Sequence, residues 1–321
     1  MPQPNYWLHC PLVNFLILTV FPLDHTFAGN PLDRAESIRR DEGAIRNLVE
    51  SDLGRYLVFN KSKVLVDGQG QLAWVDRSKL VDIDTEPALL GTLEETPYFA
   101  LDCSNHDWPT QLTFADCRAT AMQITGPETG ILAQARSQLE WHKKNLFCGL
   151  CGSKNKKERG GQVLRCSACD RHIFPRTDPV VIMLVIDKFD QDKCLLGQGK
   201  GRMVRSNFYS ALAGFVDQGE SIEEAVRREV QEESDIEVGL VQYHSSQPWP
   251  FPSSLMIGCH ALASTNEIVV NQSEMANVDW FSKKEVISAL NQDHPTLSVP
   301  GEIAIAHHLI KSWACGDLKF G

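Results

Sequence analysis

Four cysteines of this 321-residue chain stand in two pairs, Cys148 with Cys151 and Cys166 with Cys169, each pair separated by two residues and the pairs by fourteen. Two such knuckles bring four thiolates to one tetrahedral cation at about 2.3 Å, the closed arrangement of a structural Zn²⁺, one per chain. Redox chemistry needs one CxxC rather than two at ribbon spacing, so metal binding is the expectation. Lys154, Lys156, Lys157 and Arg159 lie between the pairs. They read as a solvated basic loop, with a nucleic-acid-binding ribbon as the sharper alternative. Cys10, Cys103, Cys117, Cys194, Cys259 and Cys315 are scattered singly and read as buried thiols in a reducing compartment.

A second set of residues is acidic. Ser221-Ile222-Glu223-Glu224 has the form of a capping box, in which the Ser221 hydroxyl and the Glu224 carboxylate satisfy free backbone donors at a helix start. Counting from that start, Ile222, Ala225, Val226 and Val230 share one face, and Glu229, Glu232 and Glu233, at i, i+3 and i+4, share another. Eight acids fall between residues 220 and 237, against Arg227 and Arg228. A solvated acidic face is the plain reading of such a helix. Like charges on one arc, however, repel by a few tenths of a kcal/mol per pair. Hard divalent cations, which take oxygen ligands and keep several waters, would turn that repulsion into a site able to hold a diphosphate.

The third set is Ser246-Gln247-Pro248-Trp249-Pro250-Phe251-Pro252-Ser253-Ser254. Three alternating prolines stiffen an extended segment, and Trp249 and Phe251 offer flat faces to a base or pyridine. An aromatic core loop is the alternative. Gly197, Gly199 and Gly201 around Lys200 lack the GK[ST] ending and following helix of a phosphate loop, and read as a mobile hairpin connection. His307 and His308 read as structural or dimer-contact residues. No Ser/His/Asp or Cys/His arrangement points to a covalent intermediate.

These residues need elements to hold them. The hydrophobic content of 43 % with 22 % charged residues is that of an ordinary folded chain, and the length suits about two domains. A net charge of −10 provides no global positive field for nucleic acid or an anionic membrane. Leu8 to Leu23 is apolar but broken by Pro11 and Pro22 and preceded by no Lys or Arg. It fits neither a membrane span of roughly 20 residues nor a signal peptide, so a buried strand or untidy N-terminus and a cytoplasmic location are expected. Residues 26–145 read as a β-rich domain: Tyr56 to Phe59, Lys63 to Val66 and Leu72 to Val75 are apolar runs, with hairpin chemistry at Asp67-Gly68-Gln69-Gly70. A helix from Pro127 with Ile131, Ala135, Leu139 and His142 on one stripe leads to the ribbon, residues 146–176. In residues 177–321, Val180 to Ile186 suits a strand buried on both faces. Further strands are expected at Leu195-Leu196, Phe208 to Phe215, Leu255 to Ala263 and Val278 to Phe281, with a last helix over Ile303 to Trp313. No internal repeat is visible.

The spacing Gly214, five residues, Glu220, seven residues, then Arg228-Glu229-Val230-Gln231-Glu232-Glu233 resembles the Nudix box over about 23 residues. One position departs: Asp235 stands where the box has Gly, at a cost of roughly 1 kcal/mol if it turns left-handed. Ser246 to Ser254 resembles the SQPWPFPxS element of the NADH pyrophosphatases within that family, and Phe27 to Arg34 resembles them more loosely. The resemblance implies an α+β chain: a Nudix α/β/α sandwich with a mixed sheet, preceded by a zinc ribbon and an N-terminal β-rich domain. It implies a homodimer, with Mg²⁺ or Mn²⁺, that hydrolyses NADH or NAD⁺ to nicotinamide mononucleotide and AMP. Glu229 and Glu233 match metal ligands and Glu232 the carboxylate beside them; Ala213 would lend a carbonyl, Arg228 would buttress the acids, and Glu274 is a further metal-binding or catalytic carboxylate. Either Glu233 or Glu274 would be the base. Gln247, Pro248, Trp249, Pro250, Phe251, Pro252, Ser253 and Ser254, with Ala304, would line the dinucleotide pocket, and Phe174 would stack on adenine. The alternatives are removal of NAD caps from RNA by the same chemistry and a non-catalytic dinucleotide sensor.

Overall fold

The structure is a computed structural model that describes residues 25–80, 83, 85–104, 112–124, 126–200, 207–318 and 320. The apolar segment Leu8 to Leu23, Cys10 and Gly201 lie outside the described residues. Among those described, no helix is long and apolar enough to cross a membrane.

The N-terminal part contains α1 (Glu42–Glu50), β1 (Arg55–Asn60), β2 (Lys63–Val66), β3 (Trp74–Val75), β4 (Ala88–Leu93), β5 (Thr96–Asp102), β6 (Thr113–Asp116), α2 (Cys117–Ala121) and α3 (Glu128–Lys144). Its sheet runs β4-β5-β1-β2-β6, with β3 also on β1. Only β1 and β5 are parallel. Alternation along β1 decides the packing: Leu57 and Phe59 pack beneath α2 and α3, and Tyr56 and Val58 face the side of α1. Helix α3 starts after Pro127 and buries Ile131, Ala135 and His142 of the expected stripe.

The ribbon is a three-stranded sheet of β7 (Asn155–Glu158), β8 (Val163–Cys166) and β9 (His172–Ile173). Its basic loop is not simply solvated. The Lys157 ammonium donates to the Glu86 carbonyl, the Arg159 N–H to Glu42 Oε1 at 2.9 Å, and the Arg159 guanidinium to Glu36. Two of the four cations are thus committed to docking the ribbon on the N-terminal part, while Lys154 and Lys156 are exposed.

Next come β10 (Asp178–Ile186), β11 (Lys193–Gly199), β12 (Leu212–Phe215), α4 (Ile222–Ser234), β13 (Val238–Trp249), β14 (Ser254–Ala263), β15 (Met275–Ser282), α5 (Lys283–Leu290) and α6 (Ile305–Ala314). The sheet is sandwiched. Val181, Met183 and Val185 of β10 pack toward α4, and Ile182, Leu184 and Ile186 toward α5 and α6, as a strand buried on both faces requires. Several sequence expectations change. β12 begins only at Leu212, Gly197 and Gly199 belong to β11 rather than to a connection, and β13 and α5 are additional elements.

The larger correction concerns repetition. The second sheet runs β13-β14-β10-β11-β15, with β12 on β10, and only β10 and β14 are parallel. Strand for strand this is the order and polarity of the first sheet, and each sheet is followed by two helices. The fold is duplicated although the sequence shows no repeat. The copies differ where it matters: between β3 and β4 the described residues hold one 3-10 turn, Arg77–Leu80, where the second copy inserts α4 between β12 and β13.

Candidate active site

Helix α4 starts as its sequence dictates. Ser221 Oγ accepts from the Glu224 N–H at 3.2 Å, Glu224 returns the bond to the Ser221 N–H at 2.7 Å, and both halves of the capping box are present. Ala225, Val226 and Val230 are completely buried, which fixes the helix rotation. Burying valine-sized side chains stabilises by roughly 1.5–3 kcal/mol each. That rotation turns Glu229 and Glu233 inward, both buried, and leaves Glu232 exposed.

Arg228 organises the acids around it. Its guanidinium donates to both Glu220 oxygens at 2.6 and 2.8 Å, to Glu229 Oε1 at 2.9 Å, to Glu232 Oε2 at 3.1 Å and to the Phe215 carbonyl at 2.8 Å. The bidentate bond with Arg228 holds the Glu220 carboxyl down at about 2. Glu233 has no such partner. Burial, then the charges of Glu229 and Glu274, push its carboxyl up to about 8. Glu229 is also raised, by burial, against the opposing pull of Arg228. Glu233 Oε2 is buried without a hydrogen-bond partner, an arrangement that a cation would satisfy. Oxygen donors at this density fit a hard divalent ion.

Three surrounding positions complete the cluster. Ala213 in β12 places its backbone N–H against Glu233. Glu274 is exposed in the turn before β15, and that turn is tied to α4 by the Asn271 N–H on the Glu233 carbonyl at 3.3 Å. Asp235 does adopt the left-handed conformation, φ 61° and ψ 15°, and its N–H closes the helix on the Gln231 carbonyl at 2.9 Å. The missing box glycine therefore leaves the turn intact.

The four ribbon sulfurs converge within 4.8 Å of one another, with Cys148 Sγ 3.7 Å from Cys169 Sγ and Cys151 Sγ 3.4 Å from Cys166 Sγ. Backbone N–H groups of Leu150, Ala168 and Cys169 point at the Cys148 and Cys166 sulfurs, and those of Leu150 and Cys151 hold the Cys148 thiol below its ordinary value. The Ser153 N–H and hydroxyl bring the Cys151 thiol down to about 6. The site fits structural zinc. Among the described residues no other three or more His, Cys, Asp or Glu ligands draw so close, so the α4 carboxylates form a wider cluster. Of the single cysteines, Cys103, Cys117, Cys194 and Cys259 are buried; Cys315 is exposed.

The proline-aromatic element is split by the fold. Ser246 to Trp249 are the end of β13, Pro250 to Ser253 turn, and Ser254 opens β14. Ser246, Pro248, Trp249, Pro250, Ser253 and Ser254 line a cavity of about 760 Å³ facing α3 and Phe27. Pro252 and Ser253 also line a neighbouring cleft of about 410 Å³ with Phe174, which is 64 % exposed. Phe251 packs edge-on against Phe27 and Trp249, with centroids 5.7 and 5.4 Å apart. Gln247, expected as a pocket residue, is completely buried. Its amide donates to the Thr26 and Ile303 carbonyls at 3.0 and 2.8 Å and accepts from the Ile305 N–H at 2.9 Å, so its polar atoms are spent on bracing α6. Ala304 caps α6 half-buried, and neither cavity includes it or the carboxylates. His307 is buried and its Nδ1–H donates to the Pro300 carbonyl at 2.9 Å.

Comparison with known proteins agrees with this architecture. Residues 53–141 match the NADH pyrophosphatase-like rudimentary NUDIX domain, residues 143–174 the NADH pyrophosphatase zinc ribbon domain, and residues 176–298 the NUDIX domain. The duplicated topology is thereby explained: the first copy is a rudimentary Nudix fold, without a carboxylate helix among its described residues. The chain belongs to the NADH pyrophosphatase family of Nudix hydrolases. It is 42 % identical to the NAD-capped RNA hydrolase NudC of Pseudomonas aeruginosa over 80 % of this chain and 87 % of that one. It is 40 % identical to the mouse mitochondrial NAD(P)H pyrophosphatase NUDT13 over 83 % and 81 %. Against the human NAD-capped RNA hydrolase NUDT12 the identity is 46 % over 60 % of this chain, which spans less than half, 43 %, of that protein.

Proposed function

We propose that the chain hydrolyses the diphosphate bond of NADH or NAD⁺, giving nicotinamide mononucleotide and AMP. The observation that carries this reading is Glu233: a buried carboxyl with an unpartnered oxygen, set beside Glu229 and within reach of Glu274 on a helix whose register its capping box fixes. Glu229, Glu233, the Ala213 carbonyl and, from the exposed side, Glu232 and Glu274 would hold Mg²⁺ or Mn²⁺. Such ions neutralise a diphosphate and lower the pKa of water. The protein's own part is positional. Arg228 fixes Glu220, Glu229 and Glu232 in one frame, Glu233 or Glu274 accepts the proton of the attacking water, and a P–O bond of the bridge breaks as the new P–O bond forms. Pro248, Trp249, Pro250, Ser253 and Ser254 in the larger cavity, and Pro252 and Phe174 in the neighbouring cleft, would receive the two bases.

The names of the human and Pseudomonas relatives favour a second substrate, the NAD cap of RNA. Exposed Lys154 and Lys156 on the ribbon support it. A homodimer is supported by Phe147 and Leu150, large apolar side chains exposed on or beside the ribbon that a second copy would cover. The buried free thiols fit the cytoplasm, although the name of the mouse relative places that protein in mitochondria.

The test is a panel of NADH, NAD⁺ and NAD-capped RNA with Mg²⁺ or Mn²⁺, products separated by chromatography, alongside Glu233→Gln. Mononucleotide release by the wild type that the variant loses supports the reading and eliminates the sensor alternative. Cleavage by the variant at near wild-type rate sinks the assignment of Glu233.

A further inference from the structure

Among the described residues the N-terminal copy has no carboxylate helix between β3 and β4, yet its α3 reaches across to the second copy and meets the proline-aromatic element there. The Arg136 guanidinium donates to the Pro250 carbonyl and lies over the Phe251 ring, 4.5 Å from its centroid. The next residue, Ser137, donates through Oγ to the Pro252 carbonyl at 3.1 Å. Two consecutive residues of one helix thus hold the carbonyls on either side of Phe251. The chemistry of the segment makes this hold necessary. Pro250 and Pro252 carry no N–H, so from Pro250 to Pro252 the backbone offers one donor, the Phe251 N–H, which bonds to the Trp249 carbonyl at 2.8 Å. Donors must come from elsewhere, and α3 brings them on a rigid element. A guanidinium over the ring adds cation–π attraction that fixes the ring plane as well as the backbone.

We propose that Arg136 is a positioning residue for substrate recognition: through Pro250 and Phe251 it sets the orientation of the aromatic pair Trp249 and Phe251. This gives the N-terminal copy a role in the reaction without any contact of its own with the reacting atoms. The proposal rests on the dinucleotide-hydrolase reading above for its kinetic consequence, but not for its structural one.

The experiment therefore has two readouts on the full-length protein: amide hydrogen exchange of peptides covering residues 247–256, which needs no substrate, and steady-state cleavage of NADH with Mg²⁺. Arg136→Met keeps bulk and removes both the donor and the charge. Arg136→Lys keeps a cation over the ring and a donor for the carbonyl. Ser137→Ala removes the lighter half of the hold. Arg136→Met is expected to speed exchange in this segment and to raise KM about tenfold with kcat within about twofold, because misplaced recognition groups weaken binding while the carboxylate cluster is untouched. Arg136→Lys should recover KM to within about threefold, and Ser137→Ala should show a smaller rise of the same kind. Unchanged exchange in both Arg136→Met and Ser137→Ala overturns the proposal, as does a fall in kcat equal to the rise in KM that Lys does not rescue. Should Arg136→Met fail to fold, the Ser137→Ala and Arg136→Lys comparison decides by the same criteria. If the wild type cleaves no dinucleotide, the hydrolase reading falls, and the exchange data alone decide whether α3 sets the element.

Discussion

Gly214 lies so close under Glu229 that a Cβ added to it would fall 1.9 Å from the Glu229 carboxyl carbon and about 2 Å from both oxygens, 2.0 and 2.1 Å. The glycine is needed for approach, not for an unusual backbone angle. Any side chain at 214 must evict the Glu229 carboxylate from the place where Arg228 holds it at 2.9 Å. Gly214→Ala is expected to lower kcat for NADH about 100-fold, the scale of an ångström-sized misplacement of a catalytic group, with little loss of thermal stability. Retention of more than a third of wild-type kcat would show that Glu229 can do its work from elsewhere.

The raised Glu233 carboxyl predicts an unusual pH dependence of stability in metal-free protein. Its folded value of about 8 lies above the ordinary 4.5. Between those two values the folded state holds a proton that the unfolded chain has released, so stability falls as pH rises through the window and levels off above about 8. Thermal melts in EDTA from pH 5 to 9 should show this decline, and Glu233→Gln should flatten it. Added Mg²⁺ should stabilise most at the alkaline end, where its ligand is deprotonated. A rise of stability with pH in EDTA that depends on Glu233 would contradict the placement of this carboxyl.

Legibility from sequence followed the range of the interactions. Helix α4, its cap and its inward acids were readable because every determinant lies within one segment: Ser221 and Glu224 set the start, three small apolar residues set the rotation, and Glu229 and Glu233 follow from the 3.6-residue period. Helix α5 carried the same signal, Ser282 with Glu285, and it is a full capping box. The role of Gln247 was not readable, because its partners Thr26, Ile303 and Ile305 are remote along the chain. Nor was the docking of Lys157 and Arg159 on Glu86, Glu42 and Glu36. The duplicated sheet shows no internal repeat to the eye, since a sheet requires only suitably alternating apolar positions, a demand that many unrelated residues meet.

Asp235 offers a gain of stability. It sits at φ 61°, where glycine has no steric penalty and aspartate a modest one, and its carboxylate returns a single bond from the Gln231 amide. Asp235→Gly removes the strain, loses that exposed bond and restores the family's box residue. The expected net effect is a stabilisation of up to about 1 kcal/mol, read as a rise in Tm of about 2–4 °C, with kcat within about twofold of wild type. A lower Tm would mean that the Gln231 bond outweighs the backbone term.

Removal of zinc should loosen the ribbon without dismantling either Nudix copy. Four sulfurs within 4.8 Å of one another have no apolar core of comparable size around them: Cys151 and Cys169 are exposed, and the ribbon strands are only two to four residues long. Without the ion the thiolates repel, and structural zinc in such small units is worth on the order of 10 kcal/mol. The two cores on either side of the ribbon have their own sheets and buried apolar clusters, so they do not depend on it. Cys151→Ser, or chelation at neutral pH, should bring bound zinc from one per chain toward zero and open protease cleavage within residues 146–176. The bonds from Lys157 and Arg159 to the N-terminal copy should be lost in the same step, so exchange should also quicken around Glu36, Glu42 and Glu86. The stabilisation of the protein by Mg²⁺ at pH 8 should persist in Cys151→Ser, because α4 holds Glu229 and Glu233, with Arg228 on Glu229 and the Ala213 N–H on Glu233, and none of these contacts comes from the ribbon. Loss of that Mg²⁺ effect together with the zinc would show that the ribbon, and not α4, shapes the carboxylate cluster.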